Sequence, residues 1–575
     1  MRRSALFVAF LCVFPFVAAL SGHVPLLALT ELPNGTRAGT ATELMLDVRS
    51  GSERVFLETL PLTQITTQIS MRFAQQIACR EFDLSCEDKD FFFAIKTLPG
   101  PIVGGPSAGA AATILVAAAL QNVSIDPRSA ITGTINSGGL IGPVGGLKEK
   151  ISAAAAAGYT TVFIPVGTRF QKKKLFDSEA DLVAYGARMN VTVKEVATIH
   201  EAYSLFTGIP QKSKNTTVIL ESSYAALMRT IAQQLCSRTA SLRSKVVRTN
   251  DVRKEILTNL TVHAAEALLV NASYSAASFC FRGNLLAKEL VNAQDNASTN
   301  MTQALAVFES QVLYWEDALQ KEPIQTLTDL QTYIAVQERL GEAREGLGEA
   351  RKAEKQEEKK RLLSYSEERL VSAKAWSAFF NLTDKNGLSL TKEALKKTCV
   401  SKVGEAEERY NYVKTILPDS LKNTRQTLDH AYEEYQRDKY ISCIGSASKA
   451  KAEADVVLSV VGVEEDRLSD IFVIKKDIVK QQLLRAQEDG VFPIIGYSYF
   501  EYAQALAPVD LPSALLFSEY ALELSDLGIY FKKPRKNIQL NIAIDLYSVG
   551  MGFLMGIFCT AVYYSMRYKT ALRTK

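Results

Sequence analysis

From His23 to about Gly208 short apolar runs alternate with longer amphipathic ones. The segments HVPLLALTEL (23–32), ELMLDVRS (43–50), RVFLETLPL (54–62), FFFAIKTLP (91–99) and TVFIPVG (161–167) are rich in β-branched and aromatic residues, which predicts strands. Between them TQISMRFAQQIAC (67–79), SAGAAATILVAAALQ (107–121), LKEKISAAAAAG (147–158) and IHEAYSLFTG (199–208) carry helical spacing. That alternation makes one α/β or α+β domain over 22–209.

After GIPQKSKNTT (208–217) the strand signal stops. Ala, Leu, Glu, Lys and Arg then recur in helical spacing, which predicts an all-α helical array over 216–535. Between Glu338 and Arg361, 15 of 24 residues are charged with nearly balanced signs, the composition of a solvated helix or coiled-coil arm. YSYFEYAQAL (497–506) followed by SALLFSEYALELSDLGIYF (513–531) reads as a tetratricopeptide-like helix pair.

The two ends differ from the rest. Residues 1–21, MRRSALFVAFLCVFPFVAALS, set two arginines ahead of an uncharged apolar stretch that ends in small residues, the pattern of a secretory signal peptide. Residues 546–566, LYSVGMGFLMGIFCTAVYYSM, carry no charge and as a helix would span roughly 30 Å, enough for a C-terminal transmembrane helix. The expectation is a single-pass protein of the cell membrane, extracytoplasmic between its ends and anchored in lipid, with a cytoplasmic tail at 567–575. Gly552 and Gly556 form a GxxxG that could pack two helices, although ordinary lipid-facing glycines are the favoured reading.

Composition fits this picture. A 575-residue chain exceeds one hydrophobic core, and a net charge of +4 gives no electrostatic case for nucleic acid. Nine Asn-x-Ser/Thr sequons, at Asn34, Asn122, Asn190, Asn215, Asn259, Asn271, Asn296, Asn300 and Asn381, suit an exported glycoprotein. Outside the two apolar ends lie six cysteines. Cys236 to Cys280 and Cys399 to Cys443 share one separation, so each is expected to staple a helical hairpin, leaving Cys79–Cys86 to close a short loop. No CxxC suggests a metal, and no cofactor is expected.

The candidate chemistry sits in VGGPSAGAA (103–111). Ser107 follows Gly104, Gly105 and Pro106, so the chain can turn sharply and place the hydroxyl in the first turn of a helix, where unpaired N–H groups suit a developing oxyanion. A capping serine on a tight turn explains the same residues. A second element, ITGTINSGGLIGPVGGLKEKISAAAAAGYTTVFIPVG (131–167), leads through a glycine-rich hairpin into a helix bearing Lys148 and Lys150. Local pattern does not choose between the two lysines, although Lys150 can share the inward face with Leu147 and Ala154, which leaves Lys148 solvated.

Together, GGPSAGAA and TG…GGLKEK resemble the proteolytic domain of the Lon (S16) family of serine proteases over about Val24 to Gly208, in particular the archaeal membrane-anchored form without an ATPase domain. The resemblance implies an α+β fold of the ribosomal protein S5 domain 2-like type and a Ser-Lys dyad. The family's nucleophile falls on Ser107, its lysine on Lys150 and its supporting threonine on Thr132; Gly104, Gly105 and Ser107 would line the oxyanion and substrate cleft. One position departs, since family members with Lys-Asp-Gly-Pro-Ser-Ala-Gly carry aspartate where this chain has Gly104. Such domains commonly form rings, so the resemblance also implies a homo-oligomer.

A lysine amine with its ordinary pKa of about 10.4 is protonated at neutral pH and cannot accept the serine proton. Burial would lower that pKa and make Lys150 a usable general base for an ATP-independent serine endopeptidase acting on proteins or peptides. A Ser-His-Asp triad has only His23, His200, His263 and His430 to draw on, and His200 reads as a capping or solvated residue. Glycine is never followed by lysine, so no Walker A loop exists. The competing readings are a non-catalytic surface scaffold, in which the helical array binds partners, and a small-molecule kinase, whose glycine-rich loop would cradle phosphate.

Overall fold

The computed structural model describes residues 20–31, 37–60, 65–96, 105–171, 180–210, 217–246, 252–294, 300–382, 390–418, 420–461, 463, 465–531, 554–557, 560–562 and 564. The chain forms two compact units, Met1–Lys532 and Lys533–Lys575. In the second, residues 554–557, 560–562 and 564 are helical; the rest of the expected span 546–566, with Gly552, lies outside the described residues. Among the described residues no helix is long and apolar enough to cross a membrane.

The first unit opens with a mixed α/β domain. Its strands are β1 Leu20–Glu31, β2 Arg37–Ser50, β3 Val55–Leu60, β4 Lys89–Lys96, β5 Ser129–Ile131, β6 Thr134–Ile135, β7 Ile141–Gly142, β8 Thr161–Pro165, β9 Phe170–Gln171, β10 Ala180–Asp181 and β11 Thr192–Val196. Its helices are α1 Ile65–Glu81, α2 Gly109–Gln121, α3 Leu147–Ala156, α4 Leu182–Ala187 and α5 Ile199–Thr207. Seven strands make one sheet in the order β11-β8-β5-β1-β2-β4-β3, antiparallel at β1/β2 and β2/β4 and parallel elsewhere.

Alternation along the strands serves both faces of that sheet. Leu26 of β1 and Phe163 of β8 pack with α1, α2 and α5, whereas Leu27, Val162 and Ile164 pack with Leu147, Ile151 and Ala154 of α3 and Leu182 of α4. The α2 helix is buried all round from Gly109 to Ala119, which explains its unbroken run of small and apolar residues.

The second part of this unit is all helical: α6 Ser222–Ser244, α7 Val252–Leu269, α8 Ser273–Gln294, α9 Met301–Lys321, α10 Leu327–Lys352, α11 Gln356–Trp376, α12 Lys392–Ile416, α13 Lys422–Gln436, α14 Tyr440–Val460, α15 Leu468–Glu488, α16 Ile494–Leu506 and α17 Leu511–Ser525. The expected aromatic pair is present, with the Phe517 ring of α17 lying 4.8 Å from Tyr502 and 5.4 Å from Tyr499 of α16.

Four expectations change. Of the two forms expected for the charged stretch 338–361, a solvated helix or a coiled-coil arm, the first is not what forms: the stretch makes the end of α10 and the start of α11, an antiparallel hairpin in which Leu340, Ala343, Leu347 and Ala350 are buried at near-heptad spacing. Its charges pair with neighbouring helices, as in Arg351 with Glu309 and Arg369 with Glu342. The three disulfides pair as expected, but Cys236–Cys280 joins α6 to α8 and Cys399–Cys443 joins α12 to α14, so each skips a helix instead of closing a two-helix hairpin. Leu20 and Ser21 already belong to β1, where they pair with Val48 and Asp47, so the sheet takes the last two residues assigned to the leader. Finally, no strand is expected at β5, β9, β10 or β11, and the expected glycine-rich hairpin carries only the two-residue strands β6 and β7; such short segments give little period to recognise.

Candidate active site

The site is assembled at the carboxyl end of β5. Thr132, the next residue, donates its N–H to Phe163 O of β8 at 3.1 Å and is fully buried. Gly133 N donates to Ser107 O, and Ala110 N donates back to Gly133 O, each at 3.1 Å. This pair of backbone bonds ties the start of α2 to the residue beside Thr132. Gly109 permits the close approach, since a Cβ there would stand 2.9 Å from the Ile135 side chain.

Ser107 sits in a single 3₁₀ turn, Pro106–Ala108, that opens directly into α2. The turn is possible because Gly105 has φ 106° and ψ 164°, a conformation essentially reserved for glycine. Pro106 is buried and fixes the first turn, while Ser107 remains half-buried. In a first turn the N–H groups of Ser107 and Ala108 have no intrahelical acceptor, and they point along the positive end of α2. Gly104 lies outside the described residues.

Lys150 comes from the other side of the sheet. On α3 it shares the buried stripe with Leu147, Ile151 and Ala154, and only 2% of its surface is exposed. Its Nζ donates to Thr132 Oγ1 at 2.9 Å. Burial lowers its pKa to about 7, against a smaller upward pull from Glu149. A lysine so placed exchanges its proton near neutral pH. Among the described residues no hydrogen bond joins Lys150 Nζ to the Ser107 hydroxyl; the two residues are connected through the 132–133 segment.

The remaining candidates fall elsewhere. Lys148 is half-buried instead of solvated, with Nζ 5.1 Å from the centre of the Tyr185 ring. His200 is neither a cap nor free, because Thr198 caps α5 and His200 Nε2 pairs with Glu81 at 3.0 Å. Burial would raise the Glu81 pKa, but His200, Arg485 and Gln482 together hold it below the ordinary value. Thus His200 is committed to the seam between the two parts of the unit. Among the described residues no cluster of three or more His, Cys, Asp or Glu side chains could hold a metal.

Sequence reasoning missed one group entirely. The hairpin between Thr132 and Lys150 is enclosed by side chains of the helical array, among them Arg409, Tyr412, Lys451 and Glu523. Buried charges at helical spacing on α12, α14 and α17 were the only available signal.

Residues 96–199 match the Lon protease (S16) C-terminal proteolytic domain. The chain is 41% identical over 71 residues to a Lon protease of Phenylobacterium zucineum, 12% of this chain and 9% of that protein. It is 30% identical over 156 residues to a mitochondrial Lon protease homolog of Candida dubliniensis, 26% of this chain and 14% of that protein. With a Lon protease of Acinetobacter baumannii it shares 34% over 127 residues, 21% and 14% respectively. The residues of the family match fall within the α/β domain, and the chain spans no more than about a seventh of the length of these relatives.

Proposed function

We propose that this chain is a serine endopeptidase in which Ser107 is the nucleophile, Lys150 the general base and Thr132 the residue that orients the amine. One observation carries the reading: a buried lysine, with a pKa lowered to about 7, donates to a threonine whose neighbour is bonded to the Ser107 backbone. The match of residues 96–199 to a Lon proteolytic domain supports the same assignment.

In the proposed reaction Ser107 Oγ attacks the carbonyl carbon of a bound peptide as Lys150 Nζ takes the hydroxyl proton. The oxyanion that forms is met by the Ser107 and Ala108 N–H groups at the start of α2. Lys150 passes its proton to the leaving nitrogen, and the C–N bond breaks to give an acyl-serine. Water then attacks the ester with Lys150 again as base, which releases the acid and restores Ser107. Thr132 accepts a hydrogen bond from the amine and keeps the nitrogen lone pair directed at the serine.

The chemistry runs without ATP in this reading, since no Walker A sequence is present. Three disulfides point to an oxidising, extracytoplasmic compartment. In this reading the domain lies outside the cytoplasm, anchored in the membrane by a transmembrane helix at 546–566, and acts on peptides, unfolded segments or ectodomains of membrane proteins. The test is labelling of the full chain with a fluorophosphonate and hydrolysis of an unfolded protein in the absence of nucleotide. Both should vanish in Ser107→Ala and Lys150→Ala; a parent protein that takes no label and cleaves nothing rules the reading out.

A further inference from the structure

The segment between Thr132 and Lys150 contains β6, β7 and a tight 3₁₀ turn, Ser137–Gly139, between them. Thr134–Ile135 and Ile141–Gly142 pair antiparallel, a ladder of two residues on each side. A two-residue hairpin has too few bonds to hold itself. Ile135 and Ile141 pack into the sheet's core and Ile141 N donates to Ala197 O at 2.9 Å, and the helical array adds a second set of contacts.

Two side chains of α12 grip its backbone at both ends. Arg409, 3% exposed, donates a guanidinium N–H to Ile135 O, three residues beyond Thr132. Tyr412, one helical turn further, accepts a hydrogen bond from Gly145 N at 2.8 Å, directly before the Gly146 that starts α3. Arg409 is itself fixed by Asp455 of α14, with Nε 3.0 Å from the carboxylate.

The turn is held separately. Ser137 Oγ donates to Glu523 Oε1 of α17 at 2.9 Å and lies 3.3 Å from Lys451 Nζ of α14. Gly138, at φ 70°, has no room for a Cβ, which would meet Gln482 and Ile478 of α15 at 2.9 Å. Leu140 belongs to the hydrophobic core of the helices and not to that of the sheet.

We infer that α12 is a positioning element for the proteolytic centre, with Arg409 and Tyr412 as the positioning residues that fix the chain on either side of the hairpin and so set Lys150 against Thr132. The inference rests on the Ser107–Lys150 reading. The helical array then completes the site from within the same chain. Loss of either contact loosens one end of the hairpin, and an error in the base's position of a fraction of an ångström falls on the proton-transfer step and not on substrate binding.

The test compares Tyr412→Phe, Arg409→Lys and Arg409→Met with the parent, all as the full chain. Tyr412→Phe removes one hydroxyl. It should lower kcat and the rate of fluorophosphonate labelling roughly tenfold with little change in KM, and move the midpoint of the rate's pH dependence upward as water reaches the amine. Arg409→Lys should retain more rate than Arg409→Met. Thermal melting separates loss of positioning from loss of fold. If Arg409→Met does not fold, Tyr412→Phe and Arg409→Lys decide. Parent-like rates and pH midpoints in Tyr412→Phe and Arg409→Lys, with Ser107→Ala and Lys150→Ala inactive, overturn the inference and leave the protease reading standing. Full activity in Ser107→Ala overturns the protease reading itself.

Discussion

Lys150 Nζ donates to Thr132 Oγ1 at 2.9 Å, and this bond joins α3 on one face of the sheet to the end of β5. An ammonium buried at 2% exposure with one neutral partner is poorly compensated, which is why its pKa falls to about 7. Peptide hydrolysis should therefore rise with pH, reach half its plateau near pH 7 and stay level above it. Lys150→Arg cannot supply a neutral base in this range and should lose at least about a thousandfold in kcat. A rate profile for the parent and the variant between pH 5 and pH 9 checks both.

The same burial has a stability consequence of definite sign. The folded pKa lies below that of the unfolded chain, so between about pH 7 and pH 10.4 the unfolded chain binds more protons, and stability rises with pH across that window. Below pH 7 the penalty for the buried charge is fully present. Lys150→Met should melt at a higher temperature than the parent, and the gain should be larger at pH 6 than at pH 9. A gain that grows with pH contradicts the assignment of a buried, titrating amine.

Gly105 separates strain from collision. A Cβ at this position would meet nothing within 4 Å, so Gly105→Ala introduces no clash and only the backbone preference for φ 106° is opposed. That preference is worth about 1–3 kcal/mol. If alanine relaxes the angle, the 3₁₀ turn rotates and carries the Ser107 hydroxyl with it. The expected result is a modest fall in melting temperature with a larger fall in labelling at Ser107, read by calorimetry and probe incorporation on the same sample.

Ser107, Thr132 and Lys150 are singled out through the resemblance of GGPSAGAA and TG…GGLKEK to Lon motifs, since local pattern alone leaves Ser107 readable as a cap and does not choose between Lys148 and Lys150. Equal spacing made the cysteine pairs legible as well. Arg409 and Tyr412 were not, since their partners are the Ile135 carbonyl and the Gly145 N–H, backbone groups 274 and 267 residues away that any side chain there would present. The charged run at 338–361 leaves a solvated helix and a coiled-coil arm both open for a related reason. Its buried stripe of Leu340, Ala343, Leu347 and Ala350 is small and sparse, and the charges around it are satisfied by helices that the local sequence does not contain.

The two long-range disulfides should differ in what they protect. Each closes a separation of 44 residues, for which cross-linking stabilises by about 2–4 kcal/mol. Cys399–Cys443 ties α12 to α14, the helices that carry Arg409 and Asp455, whereas Cys236–Cys280 ties α6 to α8. Replacing either pair by serines should lower the melting temperature. Only the Cys399/Cys443 double variant should also lose hydrolysis at temperatures where both proteins remain folded.

Glu523 lies at the centre of the buried charges under the hairpin turn, 2.8 Å from both Lys402 Nζ and Lys451 Nζ. Burial would raise its pKa, yet the two ammonium groups prevail and hold it at about 2, so its contribution is present above the ordinary carboxyl range and is lost only as pH falls toward 2. Glu523→Gln keeps the shape and removes the charge, leaving two buried cations with reduced compensation, a loss of about 3–5 kcal/mol. Adding Lys451→Met should recover part of that loss, because one of the uncompensated charges goes with it. Melting temperatures of the two single variants and the double variant at pH 7 give the coupling directly; independent, additive losses would mean that the cluster does not act as a unit.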